Sequence, residues 1–333
     1  MSIIESFTKH VSSFIKNLIS IYLSHYFMTP FLKHFRIFIL IFALKTTLFA
    51  QSVKPHIEWA KSFGGSEIDL AQSIEQTFDK GFIIAGASYS EDLDVAGHHG
   101  GTDTYDYWIV KLDSNGNLEW QRSLGGTGDD FANSIKQTPD SGYIIAGYST
   151  SNNFDVSGNH GGEDYWVVRL DGNGKIIWEK SFGGSRSDRA YAVELTTDGG
   201  FVVAGYTVSD NGDVSKHHGD TTNTDYWIIK LDHDGNLKWQ KSFGGTNDDI
   251  AYSIRQTPDR GFIVAGSTYS VDGDTSFNHG TEDFWILKLD SMGSLLWKRS
   301  YGGSLFDEAH SIDLTSDGGY IAAGYSSGDN HGL

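Results

Sequence analysis

Four stretches of this chain set an aspartate and a histidine at matching places among small polar residues, a combination that can do chemistry. Asp94, Asp155, Asp213 and Asp274 hold one place and His99, His160, His218 and His279 the other. Asp92, Asp210 and Asp272 add a second carboxylate in three of the stretches. Hard oxygen ligands separated by small residues suit Ca2+, although the regular ligand positions and closing glutamate of an EF-hand are missing. The same residues have a purely structural use. An aspartate accepts backbone N–H bonds in an Asx-turn, and the histidine then pins the loop. Both readings stand at this point, and neither calls for a cofactor other than Ca2+.

Other chemistry finds less support. Gly64-Gly65 with Asp69 recurs as Gly125-Gly126 with Asp130, Gly183-Gly184 with Asp188, Gly244-Gly245 with Asp249 and Gly302-Gly303 with Asp307. A glycine pair cradles phosphate only at a helix N-terminus or beside Lys and Ser/Thr at set spacing, which are absent here. The pattern reads as a tight crossover whose aspartate bonds the turn. Carboxylates recur repeat after repeat, so none stands apart as the special acid that glycoside hydrolysis needs. There is no Gly-x-Ser-x-Gly elbow and no His-Glu-x-x-His. The expectation is a non-catalytic segment. Tyr89, Tyr148, Tyr206 and Tyr269, near the loop bases, are the candidates for stacking on a sugar ring, whereas the tryptophans read as core.

The elements that must position these residues follow from a ruler of tryptophans. Trp59, Trp120, Trp178, Trp239 and Trp297 each open a Trp-x-Lys/Arg-Ser-x-Gly-Gly phrase, at spacings of 61, 58, 61 and 58. Trp108, Trp166, Trp227 and Trp285 each close an Asp-aromatic-Trp triplet. Such a period marks a repeat architecture. Within the second repeat, 130–138 alternates, 139–142 is a turn, 143–148 is a short apolar run, and 164–171 and 175–182 are two further strands around Gly172-Asn173-Gly174. Four short strands with tight turns are the grammar of a propeller blade. The predicted fold is therefore an all-β propeller with four complete repeats of 58–61 residues, starting near 59, 120, 178 and 239, and a truncated fifth starting near 297. Small residues alternate on the first strand, as in Ala132/Ser134 and Ala251/Ser253, which suggests crowding at a central axis. Residues 56–63 read as an orphan fourth strand that would help complete one composite blade. If the four strands of a repeat are lettered A to D in chain order, the B–C loops, spanning about 90–105, 149–163, 209–224 and 270–282, are long, and loops of that length are usually functional or disordered. They are expected on one face with the Gly-Gly turns.

The two ends carry separate signals. From Met28 a basic stretch, an apolar run over 37–44 and Leu48-Phe49-Ala50 before Gln51 make a secretory leader. The division expected is 1–27 as an upstream extension, 28–50 as signal peptide and 51–333 as the repeat domain. Beyond residue 50 there are 20 basic against 42 acidic side chains, a net charge of −22. Such a surface repels nucleic acid and anionic lipid, and no insertion of the mature chain into a membrane is expected. Cysteine is absent, so neither disulfides nor thiolate-bound zinc is available.

The phrases 225–239, Asp-Tyr-Trp-Ile-Ile-Lys-Leu-Asp-His-Asp-Gly-Asn-Leu-Lys-Trp, and 315–324, Thr-Ser-Asp-Gly-Gly-Tyr-Ile-Ala-Ala-Gly, resemble secreted bacterial β-propeller repeat proteins of the SBBP type and, more distantly, quinoprotein-like propellers. The resemblance covers roughly 56–333. It implies an exported protein of a Gram-negative bacterium, of the kind found among type IX-secreted surface proteins. It further implies a secreted or cell-surface scaffold whose partner is an extracellular glycan or protein. The competing reading is an accessory module of an endoglucanase-like enzyme whose catalytic domain lies outside this segment.

Overall fold

The structure, a computed structural model, describes residues 56–327 apart from 102 and 276. The leader at 28–50, the extension at 1–27 and the loop of the fifth repeat beyond 327 lie outside these residues. The described residues form β-strands, turns and loops only, without a helix. The first blade consists of β1 (Asp69–Gln76), β2 (Phe82–Ser88), β3 (Asp106–Leu112) and β4 (Leu118–Leu124). The second holds β5 (Asp130–Gln137), β6 (Tyr143–Ser149), β7 (Asp164–Leu170) and β8 (Ile176–Phe182). The third holds β9 (Asp188–Leu195), β10 (Phe201–Thr207), β11 (Asp225–Leu231) and β12 (Leu237–Phe243). The fourth holds β13 (Asp249–Gln256), β14 (Phe262–Thr268), β15 (Asp283–Leu289) and β16 (Leu295–Tyr301), and a two-stranded fifth holds β17 (Asp307–Leu314) and β18 (Tyr320–Ser326). Every blade is an antiparallel meander in chain order. This is the four-stranded blade that the repeat predicts. Sheet boundaries fall ten residues beyond each ruler tryptophan, so Trp120, Trp178, Trp239 and Trp297 sit in the last strand of a blade. Residues 56–63, expected as a fourth strand, form no strand, and among the described residues no strand pairs with them.

Burial explains why the middle strands are apolar on both faces. Each core is shared between neighbouring blades: Ile83, Ala85, Tyr107 and Ile109 of the first pack with Ala132, Tyr143, Ile145 and Trp166 of the second. The aromatic residue that begins the third strand makes the connection. Tyr107, Tyr165 and Tyr226 are fully buried. Their hydroxyls donate to the backbone carbonyls of Trp166, Trp227 and Trp285 in the next blade, at 2.8, 2.8 and 2.9 Å. Each ring meets that tryptophan with centroids 4.5–4.6 Å apart, a contact that adds to the area buried. The hydroxyl passes strand two of the next blade where that strand has Gly147, Gly205 or Gly266, and a Cβ there would lie 2.7, 2.8 or 2.6 Å from it.

The small residues of the first strand serve blade-to-blade packing. Ala132, Ala190, Ala251 and Ala309 are completely buried. Ser73, Ser134 and Ser253 accept hydrogen bonds from the backbone of Ile135, Val193 and Ile312 in the following blade. A bulge follows each alanine and turns aside the next side chain, which can then be large. Tyr191, Tyr252 and His310 occupy that position and touch in series, at 5.2 and 4.9 Å between ring centroids. The ruler tryptophans pack forward too. Trp59, Trp120, Trp178 and Trp239 cover Gly116, Gly174, Gly235 and Gly293 in the third hairpin of the next blade. Trp59 thus does the packing of a last-strand tryptophan without belonging to a sheet.

Two expected outcomes follow. Tyr165→Phe leaves the Trp227 carbonyl without its partner and should lower stability by about 1–3 kcal/mol, and Gly205→Ala should lower it by at least as much through overpacking, both measured by urea denaturation. The first hairpin of each blade places Lys80, Ser141, Gly199, Arg260 and Gly318 at positive φ. Arg260→Gly and Ser141→Gly should therefore stabilise by about 0.5–1 kcal/mol, the relief of left-handed strain exceeding the added entropy of the unfolded chain.

Candidate functional face

The long B–C loops are bound to the Gly-Gly crossovers, as expected for two features of one face. Asp69, Asp130, Asp188 and Asp249 each accept the N–H of the second glycine, at 2.6, 2.7, 2.8 and 2.8 Å. They also take hydroxyls from both sides of strand two: Ser88 and Ser90, Ser149 and Ser151, Thr207 and Ser209, Thr268 and Ser270. The loop aspartates complete the clasp. The backbone N–H groups of Asp94, Asp155, Asp213 and Asp274 donate to Gly64, Gly125, Gly183 and Gly244. The carboxylates of Asp94, Asp155 and Asp213 accept the return bond from the same glycines at 3.3 Å. These four residues therefore fasten the loops.

The second loop carboxylates divide. Asp92 and Asp272 accept the N–H of Ser66 and Thr246 at 2.8 Å. In the other two blades the matching acceptors are Asn153 and Asn211. Asp210 is exposed and sits one residue before that position, so it does not belong to the series. Side-chain amide and carboxylate do the same work there, which is hydrogen bonding and not charge.

The histidines lie at the seams between blades. The Nδ1 atoms of His99, His160, His218 and His279 stand 3.2, 2.6, 2.9 and 2.6 Å from Asp106, Asp164, Asp225 and Asp283, whose carboxylates also accept the histidine backbone N–H. On its other side His218 Nε2 lies 3.2 Å from Asp274 of the next blade. His99 and His160 approach Asp155 and Asp213 at 3.9 and 4.0 Å. These third-strand aspartates, unread as site residues in the sequence, are as fully buried as Asp130, Asp188 and Asp249. Their only sequence signal is the Asp that opens every Asp-aromatic-Trp triplet. Burial lifts the Asp106 carboxyl to about 8 against the His99 N–H bond, with Asp130 adding to the push. Burial likewise raises Asp164 and Asp130 to about 6 and Asp249 to about 7.

The tyrosines named as stacking candidates already have aromatic partners. Tyr89 stacks on Tyr105 at 3.6 Å, and Tyr148 on Phe131 at 5.7 Å. Tyr206 is 9% exposed and leans on Tyr191, and Tyr269 meets Phe306 edge-on. The exposed aromatic and aliphatic tips are elsewhere. A tight turn begins at Asp92, Asn153, Asn211 and Asp272, and its second residue has positive φ in all four blades: Leu93, Phe154, Gly212 and Gly273. Leu93 is 81% and Phe154 69% exposed. A bulky exposed side chain at positive φ is rare and strained. Apolar residues where sister repeats have glycine were the signal for it.

The opposite face has a different, recurrent feature. Lys111, Arg169, Lys230 and Lys288 are buried and reach Asp79, Asp140, Asp198 and Asp259 in the first hairpin at 2.6–3.0 Å. Each also donates to the carbonyl of the following leucine. The tryptophans stay in the packing role: Trp166, Trp227 and Trp285 are fully buried, and Trp297, at 36%, is the most exposed of the nine.

The class defined here is a repeat protein of four-stranded propeller blades, fastened on one face by aspartate clasps and on the other by cation–hairpin pairs. No family model matches the chain, and no curated protein matches it. Among solved structures it is similar to the WD40 domain of Pan2 from Neurospora crassa, at 12% identity over 73% of this chain and 68% of that one, TM-score 0.37. It is similar as well to Sqt1 from Chaetomium thermophilum, at 12% identity over 74% and 64%, TM-score 0.35. A Bacteroides caccae protein of unknown function shares 9% identity over 72% and 85%, TM-score 0.27.

The hairpin pairs predict an acid response. The Thr77 and Thr257 hydroxyls, opposed by partial burial and helped by Lys111 and Lys288, hold Asp79 and Asp259 at about 2. Against the upward push of burial, Thr196 and Lys230 bring Asp198 to about 2 as well. Carboxyls depressed in the folded state contribute stability above the ordinary carboxylate range and lose it as pH falls through their folded pKa. The urea midpoint should therefore drop between about pH 4 and pH 2, and the drop should shrink in Asp198→Asn.

Proposed function

We propose that this chain is a secreted or cell-surface β-propeller that acts as a non-catalytic binding scaffold, contacting an extracellular glycan or protein through its B–C loop face. The observation that carries this reading is the pair Leu93 and Phe154. Both expose large apolar side chains at a backbone position where the third and fourth blades have glycine, and left-handed backbone costs an L-residue about 1–2 kcal/mol. Strain held in exposed side chains on a rigid frame is typical of contact sites. The clasps supply the frame, since every loop stem is tied to a crossover by several hydrogen bonds. Val271 and Phe277 expose further apolar surface on the fourth blade's loop. The strong negative charge of the repeat region argues for a partner that is not anionic. Export through the leader at 28–50 belongs to the same reading, with a mature chain beginning near Gln51. Among the described residues no helix is long and apolar enough to cross a membrane.

The test separates contact from packing. Leu93→Gly with Phe154→Gly should raise stability by about 0.5–1 kcal/mol per site while weakening binding to immobilised glycans and to intact bacterial surfaces at least tenfold. Unchanged binding, with the stability gain present, would remove these tips from the contact site.

A further inference from the structure

At each seam two carboxylates flank the first glycine of the crossover, and at the first two seams a third joins them. Between the first two blades they are Asp106, Asp130 and Asp155. A Cβ on Gly125 would lie 2.6 Å from Asp106 Oδ1 and 2.5 Å from Asp130 Oδ2, and the Gly125 N–H points to Asp155 Oδ2. Asp164, Asp188 and Asp213 surround Gly183 in the same way, while Asp225 and Asp249 flank Gly244, whose carbonyl accepts the Asp274 backbone N–H. The fourth seam shows Asp283 and Asp307 at Gly302. One oxygen in each set has nothing to accept from. Asp106 Oδ1, Asp164 Oδ1, Asp225 Oδ1 and Asp283 Oδ1 are buried without a hydrogen-bond partner, and their residues are 0% exposed. An orphan acceptor in one blade is an accident of packing. The same orphan in four blades, aimed at the same neighbour, is part of the design.

Charge argues in the same direction. The third- and first-strand aspartates of a seam, such as Asp106 with Asp130 and Asp225 with Asp249, are 0% exposed and flank the same glycine. Two carboxyl groups buried side by side are tolerated only when a proton or a cation neutralises them.

We propose that each seam binds one hard divalent cation of the calcium type, held between the free Oδ1 of the third-strand aspartate and Oδ2 of the first-strand aspartate of the next blade. Among the described residues no group of three His, Asp or Glu side chains is placed to hold an ion by itself, so water completes the shell. Ca2+ accepts mixed carboxylate and water ligands in irregular geometry at 2.3–2.6 Å, whereas Mg2+ demands a near-ideal octahedron. The ion would tie the first residue of one blade's third strand to the crossover into the next blade. This site is distinct from a ligand set built on Asp94, Asp155, Asp213 and Asp274 alone, and it is independent of what the loop tips contact.

The experiment is calorimetric titration of the chelator-stripped full chain with CaCl2, beside thermal melts in CaCl2 and in EGTA at one pH. Binding at three or more sites is expected, with a melting temperature several degrees higher in Ca2+. Asp225→Asn and Asp164→Asn should each remove about one site, and Asp210→Asn should remove none. Absence of heat together with equal melting temperatures in CaCl2 and EGTA would overturn the proposal, and so would an undiminished number of sites in both seam variants or a site lost in Asp210→Asn.

Discussion

The contact on which this molecule depends is a tyrosine reaching through a glycine. Without the missing Cβ at Gly147, Gly205 and Gly266, the rings of Tyr107, Tyr165 and Tyr226 could not approach the tryptophan carbonyls of the next blade. Without those hydroxyls, three buried carbonyls would lose their side-chain donors. The rest of the repeat is arranged around this fit. The glycine stands opposite tryptophan on strand three, the alanine beside it keeps the seam narrow, and the bulge after the alanine clears space for the larger residue that follows. A volume change at any of these positions is felt on both sides of a seam, since the core is shared.

Much of this was legible because each requirement recurs. The second repeat's strands match the reading from alternation and turn residues to within a residue or so, since Gly172-Asn173-Gly174 and Pro139-Asp140-Ser141-Gly142 leave little freedom in where a strand can stop. The alanine/serine alternation marked one face of the first strand, but the following blade as its neighbour was not legible, because spacing reports which side chains share a face and not what that face meets. The 56–63 segment was read as a strand from its likeness to the last strands of the later repeats. That likeness reflects a tryptophan with the same packing task, while strand status depends on a hydrogen-bonding neighbour that the local sequence does not encode.

At the face, position was legible and partner was not. Asp94 and its counterparts could be aligned by eye, yet their engagement with glycine backbone depends on a crossover about 30 residues earlier. Asp210 shows the limit of counting carboxylates: the loop geometry selects its neighbour Asn211 and ignores the charge. Asp106, Asp164, Asp225 and Asp283 were hidden in plain view, since a residue preceding an aromatic-Trp pair looks like the edge of a strand. Only burial distinguishes an acid that ends a strand in solvent from one enclosed at a seam.

Every one of these seam contacts points the same way along the chain. Tyrosine, ruler tryptophan and seam histidine all belong to the earlier blade, while the tryptophan carbonyl, hairpin glycine and loop aspartate that receive them belong to the later one. The array is therefore a head-to-tail polymer in miniature, each blade carrying a plug on one side and a socket on the other. A polymer joined by one repeated heterologous contact places no limit of its own on the number of units; only the angle between them does. Gain or loss of an in-register segment by unequal recombination leaves every remaining junction chemically unchanged. Blade number is thus the most freely adjustable property of such a molecule, while the sequence within a blade is the least.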